Sequence, residues 1–433
     1  MSYPRRKFIQ AGGALAGITL AGCISVSDDG KDAGGEKTSD GGGGGDGNDA
    51  DDGDNGGNDG MNGGTAQLWH ARSEGPKKSL EANVKAFQDE TGNSIQLSEI
   101  SDLQKTIENK LPAGKGPHLF QWAHDWIGEY QMAGLLSDQS DTLSVDPEST
   151  YTSAAAQAVQ FNGETLGLPY AAETVALLYN KDLVDEPPET VSEMQSIMEE
   201  HHDPSNGKYG LSFPIDPYFI SGYVQSFGGF YYDEKKDELG LTKPETLKGF
   251  RFVRDELAKY SPRDQKYDPQ AAVFNEGNAP FAINGPWYLG TVRDAGLDVG
   301  VAPLPKPKGG EPKPYTGVKM WYFAKKMNEG GKNAKAGRKF TEWHTTNTDL
   351  LLELAKEHGF IPVHKDLAGS DDLPAAVKGF SESVAMGEPM PTAPHMNKVW
   401  DPVKNAFLKV LKGKQDAKPA FESAEKTIEQ NWE

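Results

Sequence analysis

From Thr65 to the C-terminus, short apolar segments alternate with longer segments of helical periodicity. Ala66–Trp69 is typical of a strand, and Lys78–Glu90 places its apolar residues on one face of a helix that ends at Gly92. This alternation predicts an α/β fold. Further strands are predicted at 95–97, 119–122, 175–180, 280–284, 299–302 and 318–324, and helices at 125–133, 189–202, 245–260, 332–343, 349–357, 374–385, 397–412 and 418–430. Because 433 residues exceed one compact core, we expect two lobes.

The first 23 residues have the pattern of an export segment. Ser2–Ile9, with Arg5-Arg6, resembles a twin-arginine signal, and Leu20–Cys23 resembles a lipobox, whose cysteine takes a lipid and becomes the mature N-terminus. The alternatives are an ordinary charged start and an inert small cysteine. The distance between the two motifs favours export and lipidation, which would hold the chain at the extracellular face of the membrane.

Residues 24–64 contain Gly, Asp and Asn with almost no apolar side chains. Such a composition cannot bury enough surface to offset the entropy of ordering, so we expect a disordered tether. About 40 Gly-rich residues span roughly 35 Å. The sequence therefore predicts a folded unit held near a membrane.

The net charge of -20 disfavours nucleic acid as a partner. The same acidity keeps proteins hydrated at high salt and is compatible with a halophilic source. Cys23 is the only cysteine, so neither an intrachain disulfide nor a cysteine metal site is predicted. The adjacent histidines His201 and His202 would point apart on a helix, and we expect neither a metal nor a cofactor. His124 is interpreted as a structural hydrogen-bonding residue.

Trp and Tyr residues lie next to carboxylates in several loop or element-end segments. Sugars suit this mixture, because an aromatic face packs against the C–H face of a pyranose ring while a carboxylate accepts two neighbouring hydroxyls. A small-molecule site needs a few such groups converging in a cleft. The segments are 122–126, 169–173, 216–219, 284–288, 319–322 and 396–400.

These segments, in this order, resemble the maltose/maltodextrin-binding proteins of ABC importers. The motifs that carry the resemblance from about Gln67 onwards are Trp-Ala-His-Asp at 122–125, Gly-Leu-Leu at 134–136, Leu-Tyr-Asn-Lys-Asp-Leu at 178–183 and Ala-Ile-Asn-Gly-Pro-Trp at 282–287. The resemblance implies a periplasmic-binding-protein-like α/β fold with the ligand in an interlobe cleft. The expected partners are an oligosaccharide and the permease subunits, the protein being a monomer.

The resemblance also implies three chain crossings between the lobes, near 170–174, 316–321 and 359–363. The first lobe would comprise 65–171 and 321–360, and the second 172–316 and 361–433.

In the first lobe and at the crossings, the implied ligand residues are Trp122, Asp125, Trp126, Glu173 and Trp321. All of these except Trp126 have a structural alternative. Asp125 is also a suitable cap for the helix that follows. Trp122 and Trp321 fit a strand core equally, and Glu173 fits a solvated strand edge. Trp126 stands where the family has a ligand-contacting Arg, and Ser73-Glu74, beside Arg72, stands where the family has an Asp-Lys pair.

In the second lobe, the implied ligand residues are Asp216, Tyr218, Trp287 and Trp400. Asp216-Pro217 is also a turn signal in its own right. Trp287 after Gly-Pro is alternatively a buried helix-start anchor, and Trp400 alternatively faces the core of its helix.

The favoured function is thus a non-enzymatic binding protein that closes two lobes on an oligosaccharide. One alternative is a secreted glycoside hydrolase, which also combines Trp with paired carboxylates but whose motifs are missing from the sequence. Another is a binding protein of the same fold for a different solute, such as trehalose, cyclodextrin, iron, a polyamine or phosphate.

Overall fold

The computed structural model describes residues 63–432, which lie within one compact unit, Asn58–Glu433. The predicted export segment, the tether and Cys23 lie outside the described residues. The strands are β1 Thr65–His70, β2 Ser94–Glu99, β3 Leu119–Ala123, β4 Gln160–Phe161, β5 Glu164–Thr165, β6 Gly167–Glu173, β7 Ala176–Asn180, β8 Leu211–Ser212, β9 Tyr232–Asp233, β10 Glu238–Leu239, β11 Phe281–Asn284, β12 Val299–Ala302, β13 Tyr315–Phe323 and β14 Glu388–Pro389.

The α-helices surround these strands. They are α1 Glu74–Thr91, α2 Leu103–Lys110, α3 Ile127–Met132, α4 Pro147–Thr150, α5 Ser153–Ala158, α6 Val191–His201, α7 Pro217–Val224, α8 Pro244–Phe252, α9 Tyr267–Asn275, α10 Leu289–Asp294, α11 Gly331–Thr346, α12 Thr348–His358, α13 Ala375–Met386, α14 Trp400–Leu411 and α15 Ala417–Trp432. Short 3-10 turns occur at His124–Trp126, Pro204–Asn206, Ala258–Tyr260, Pro286–Tyr288, Lys325–Glu329 and Met396–Lys398, and Val253–Leu257 is a π-helix.

Two sheets organise the described chain. A six-stranded sheet has the order β14-β13-β3-β1-β2, with β6 also paired to β13. A four-stranded sheet has the order β12-β7-β11-β8. β1 pairs in parallel with β2 and β3, as expected where helices such as α1 connect the strands. The sequence prediction of an α/β fold is confirmed.

The chain passes from the six-stranded to the four-stranded sheet between β6 and β7, and returns along β13. β6 and β13 are antiparallel neighbours, with Glu173 opposite Gly317. Near the third predicted crossing, the Ala172 amide donates to the Ile361 carbonyl at 2.8 Å. The three segments predicted to connect the lobes therefore lie side by side.

The sequence located most elements but misjudged some boundaries. The predicted helix at 245–260 is an α-helix only to Phe252 and continues as a π-helix and a 3-10 turn. The predicted helix at 125–133 begins with the 3-10 turn His124–Trp126. Helices α2, α4, α5, α7, α9 and α10 were not predicted, because they are short and depend on tertiary packing.

None of the described helices combines the length and apolarity needed to cross a bilayer. Within residues 63–432, no group of three His, Cys, Asp or Glu side chains is arranged to hold a metal ion.

Candidate functional site

An ion pair lies where β6 and β13 leave the six-stranded sheet. Glu173 is the last residue of β6, and its Oε2 lies 2.8 Å from Lys319 Nζ on β13. The Glu173 side chain is only 9% exposed. A Cβ added at Gly317 would lie 2.8 Å from Glu173 Cγ, so this glycine leaves room for the carboxylate. Burial lowers the pKa of Lys319, but the charge and hydrogen bond of Glu173, together with Tyr170, outweigh burial, and the net pKa is raised.

Asp125 is a second buried carboxylate near this pair. It lies in the 3-10 turn that follows β3 and is 5% exposed. Burial, reinforced by the charge of Glu173, raises the pKa of Asp125 to about 7, against opposing effects of Trp400 and Lys319. The residue before α3 makes no side-chain capping bond, and Asp125 caps no helix. The capping alternative for Asp125 is therefore wrong.

His124 fixes the turn that carries Asp125. Its Nδ1 accepts a hydrogen bond from the Val318 amide at 3.1 Å, so its Nε2, 3.2 Å from the Met390 carbonyl oxygen, is the donating nitrogen. Burial lowers the pKa of His124 to about 4, so the ring is neutral at pH 7. The prediction that His124 is a structural hydrogen-bonding residue is confirmed.

Trp287 faces the same ion pair from the four-stranded sheet. Lys319 Nζ lies 5.8 Å from the Trp287 ring centroid, and the Tyr218 ring lies 6.3 Å from it. The Trp287 ring lies over Gly285, where an added Cβ would be 2.2 Å from the ring. The Asn284 side chain accepts a hydrogen bond from the Gly285 amide at 2.8 Å and fixes this turn. The Asn-Gly-Pro-Trp motif thus folds the indole back over its own backbone.

Trp400 begins α14, is half-buried, and lies close enough to Asp125 for its indole N–H to lower the pKa of that carboxyl. Its ring lies 5.7 Å from that of Tyr315, in an edge-to-face arrangement. Tyr218 lies close enough to Glu173 and Asp125 for both charges to raise its pKa further, although burial is the main cause of the increase. The structure therefore brings together five of the predicted residues, which are Asp125, Glu173, Tyr218, Trp287 and Trp400.

The structure does not place every predicted residue in this group. Trp321 is fully buried, and its indole nitrogen donates to His344 Nδ1 at 3.3 Å, so the prediction that it lines the ligand site is wrong. Trp126 packs in a hydrophobic cluster with Tyr130, at 5.4 Å between ring centroids. Trp122 is half-buried against the same cluster. Strand and turn sequence alone could not decide which face these indoles occupy.

Asp216 has a structural role of its own. It is the N-terminal cap of α7, and its Oδ1 accepts from the Tyr218 amide at 3.1 Å. Its Oδ2 lies 3.1 Å from Lys404 Nζ. The turn interpretation is confirmed, and within residues 63–432 we find no contact between Asp216 and the Asp125–Glu173 group. Asp216 as a ligand-binding residue stays a prediction.

Sequence reasoning did not identify three polar residues of this site. One is Lys319, a member of the ion pair, which lies within a strand pattern. The other two are Arg72 and Tyr170, which look like ordinary residues at the ends of elements. Arg72 Nη1 and Nη2, Tyr170 Oη and Tyr218 Oη are all buried without a hydrogen-bond partner among the described residues. Such groups cost about 1–3 kcal/mol each when unsatisfied, so they mark a place where a polar ligand would bind favourably.

A cavity of about 560 Å³ adjoins this group, between the start of α1, α10 and the crossings. Its lining includes Arg72, Gln121, Trp287, Lys319 and Phe360. Larger and comparable cavities lie elsewhere, including one of about 1180 Å³ beside α6 and α8. We favour the cavity of about 560 Å³ as the ligand site, because it is lined by both Lys319 of the ion pair and Trp287, whereas the cavity of about 1180 Å³ is lined by neither.

The arrangement offers three kinds of contact to a small polar ligand. Carboxylate oxygens accept from hydroxyl groups, Lys319 and Arg72 donate to oxygen acceptors, and the indole faces cover apolar C–H surface. Because these groups come from both sheets and from the crossings, the fold and site define an α/β protein with a candidate small-molecule site between its two sheets.

Residues 82–380 match the family model described as bacterial extracellular solute-binding protein. The chain belongs to this family.

Individual relatives agree with this assignment. The chain is 41% identical over 329 residues to a maltotriose-binding protein of Pyrococcus abyssi, covering 75% of this chain and 72% of the relative. It is 28% identical over 385 residues to a galactooligosaccharide-binding protein of Bacillus subtilis, covering 83% and 87%. A maltooligosaccharide ABC transporter solute-binding lipoprotein of Streptococcus pneumoniae is 25% identical over 455 residues, covering 98% and 99%.

Solved structures show the same two-lobe fold. One is the Thermus thermophilus maltotriose binding protein bound with maltotriose, with a TM-score of 0.77 and 27% sequence identity. The match covers 85% of this chain and 100% of that chain. A cyclo/maltodextrin-binding protein complexed with maltotetraose matches with a TM-score of 0.72 and 29% identity, over 86% and 98%. The expected α/β fold of the periplasmic-binding-protein type is confirmed.

Proposed function

We propose that this chain is the extracellular sugar-binding component of an ABC importer. It captures an oligosaccharide of the maltose or maltodextrin type and delivers it to the membrane permease. The names of the relatives support this sugar class, and the departures at Trp126 and at Ser73-Glu74 leave the preferred sugar to be measured.

The observation that carries the proposal is the ring of unsatisfied polar groups around one ion pair. Tyr218 Oη, Tyr170 Oη and the Arg72 terminal nitrogens are buried without partners in the described range, and they surround Glu173 and Lys319. An apolar or bulky rigid ligand would leave these groups unsatisfied. A hydroxyl-rich ring would satisfy them while its C–H face packs against Trp287.

The lobes are proposed as 65–171 with 321–360, and 172–316 with 361–433. The six-stranded sheet would organise the first and the four-stranded sheet the second. Asp125 approaches the ligand from the first lobe, Trp287 and Trp400 from the second, and Glu173 and Lys319 from the crossings. A sugar that contacts all of them binds the closed arrangement more tightly than the open one, and so drives closure.

The export segment and Cys23 complete the proposal. A lipid on Cys23 would hold the protein at the outer face of the membrane, with residues 24–64 as the tether, and the protein would act as a monomer without a cofactor. The relatives named as lipoproteins support the anchor.

Calorimetric titration of the unanchored protein at high salt tests the sugar class. We expect maltotriose or maltose to bind with a Kd of about 1 μM. Trehalose, cyclodextrin and spermidine are the competing ligands. Binding of spermidine or trehalose alone would replace the maltodextrin proposal with one of the alternatives.

A glycosidase also needs one carboxyl of raised pKa beside an ionised carboxylate. Asp125 and Glu173 have that relationship, so hydrolysis requires its own measurement. We propose a binding protein, in line with relatives that are solute-binding proteins, and expect maltotriose to survive overnight incubation intact. Steady release of glucose, lost in Asp125→Asn, would establish an enzyme instead.

A further inference from the structure

Arg72 is a buried cation whose terminal nitrogens have no acceptor. The side chain is 5% exposed, and its Nε donates to Gln121 Oε1 at 2.8 Å. Its guanidinium carbon lies 4.9 Å from the Tyr170 ring centroid, 5.0 Å from that of Trp321 and 5.3 Å from that of Phe360. Gln121 and the three rings therefore hold the guanidinium plane in one orientation, while Nη1 and Nη2 make no hydrogen bond within residues 63–432.

The beginning of α1 lies on the same cavity. Ser73, the N-cap residue, makes no capping bond, and Glu74, the first helical residue, has a left-handed backbone with φ 47°. Because Pro76 has no N–H, the amides of Glu74 and Gly75 are the donors left at this end of an 18-residue helix. The helix dipole adds partial positive charge there. A left-handed conformation for a residue other than glycine is strained, and such strain is concentrated at functional positions.

Lys319 adds a second cation to this cavity, and its own partner is Glu173. The Arg72 charge lowers the pKa of Lys319 and so opposes the effect of Glu173, which shows that the two cations are close. Within the described residues, Arg72 has no carboxylate partner of its own. Glu74, Asp294 and Glu357 also line the cavity, but none of them forms an ion pair with Arg72 in the described range, so its two terminal nitrogens remain the donors that a pair of acceptor oxygens would satisfy.

We propose that Arg72 binds the terminal residue of the saccharide through a pair of adjacent oxygens, one on Nη1 and one on Nη2. This inference rests on the proposed function and names the residue that determines which end groups are accepted. The planar fork of a guanidinium suits two acceptors held side by side, as in the vicinal hydroxyls of a sugar ring or in the carboxylate of a sugar acid. A terminal residue without such a pair leaves the buried guanidinium unsatisfied and binds more weakly.

Calorimetric titration of three variants tests this inference. The ligands are maltotriose and the derivative of maltotriose whose reducing-end carbon is oxidised to a carboxylate. Arg72→Met removes the donors, Arg72→Lys keeps the charge but not the fork, and Arg338→Met is the matched control, because Arg338 donates to Gln139 in the same way, away from the cavity. Thermal unfolding of each variant confirms that it is folded.

We expect Arg72→Met to weaken maltotriose binding about tenfold to hundredfold, Arg72→Lys to weaken it to an intermediate extent, and Arg338→Met to leave it within about twofold. If the oxidised ligand binds the unaltered protein more tightly than maltotriose, and Arg72→Met abolishes the difference, the fork binds a carboxylate. Folded Arg72→Lys and Arg72→Met variants that bind maltotriose as tightly as the unaltered protein would overturn the inference alone. An unaltered protein that binds neither ligand would overturn the proposed function together with it.

Discussion

Two carboxylates near the crossings, Glu173 and Asp125, lie in different electrostatic surroundings. Glu173 has the Lys319 ammonium at 2.8 Å. Asp125 has no ion-pair partner among the described residues, and burial together with the nearby Glu173 charge raises its pKa to about 7. A carboxyl that is half-protonated near neutral pH can act as donor or acceptor, whereas an ionised one only accepts.

We predict that maltotriose affinity depends on pH through Asp125. If the sugar hydroxyls donate hydrogen bonds to the ionised carboxylate, only the protein molecules in which Asp125 is deprotonated can bind maltotriose in this way. That fraction is about a tenth at pH 6 and about nine-tenths at pH 8, so affinity should rise close to tenfold across this interval. Titrations at pH 6, 7 and 8 in one buffer series measure the slope.

Asp125→Asn is the matching variant, because the amide keeps the shape and cannot titrate. Its affinity should be flat from pH 6 to 8. An unchanged slope in the variant would assign the pH dependence to another group.

At the scale of elements, the turn after β11 aims the Trp287 ring at the cavity. Gly285 has an ordinary backbone with φ -102°, so it is required by space and not by conformation. We predict that Gly285→Ala pushes the ring away, since the new Cβ would lie 2.2 Å from it. Sugar affinity should fall about tenfold, as for loss of one aromatic platform, in a titration with maltotriose.

Gly337→Ala supplies the control for this substitution. Gly337 lies in α11, outside the lining of the cavity, and a Cβ there would lie 3.3 Å from Met327 Sδ, part of a flexible side chain that can shift. This change should leave the affinity unaltered and change the free energy of unfolding by no more than about 1 kcal/mol. If both variants lose the same affinity, the loss in Gly285→Ala does not come from displacement of the Trp287 ring.

His124 joins elements that are distant in sequence. It accepts from Val318 on β13 and donates to Met390, just after β14. Because burial lowers its pKa to about 4, from about 6.5 in the unfolded chain, the folded state resists protonation. Its contribution to stability is complete above pH 6.5 and is lost as the pH falls towards 4.

We therefore predict that His124 by itself makes the fold more sensitive to acid. Between pH 7 and pH 5, His124 should remove about 2 kcal/mol from the free energy of unfolding, measured by urea titration at constant salt. His124→Gln can still accept and donate but does not titrate, and it should lose about 2 kcal/mol less over the same interval. Because the pKa of Asp125 is raised in the fold, Asp125 stabilises the protein as the pH falls and so opposes His124. The quantity to compare is therefore the difference in the free energy of unfolding between the unaltered protein and His124→Gln.

At the scale of the whole molecule, the described unit is joined to its proposed anchor by 24–64. We predict that Cys23→Ser releases the protein from membranes, because the hydroxyl cannot form the thioether to lipid. Fractionation of cells expressing each form measures the location. Maltotriose affinity should stay the same, since Cys23 lies 42 positions before β1 begins at Thr65.

A Cys23→Ser protein that remains in the membrane fraction would contradict the anchor. A matched Ser25→Ala variant, two residues further on, should keep the membrane location of the unaltered protein.

The sequence by itself determined the class of fold, because the alternation of strand and helix periodicity is local. It also determined several ligand candidates, since Asn284–Trp287 and His124-Asp125 are contiguous motifs, and the first of them is held by a short-range hydrogen bond within the motif. The turn at Asp216-Pro217 was predicted from the same kind of contiguous motif.

Only the tertiary structure decided which of two faces each aromatic residue occupies. Trp321 looks like Trp287 in sequence, yet pairing of β13 between β3 and β6 buries Trp321 completely. Lys319 and Arg72 became visible as site residues only through their neighbours, Glu173 on an adjacent strand and Gln121 on β3. Partners separated by 49 residues or more have no local signature, because strand register and helix packing bring them together only in the folded chain.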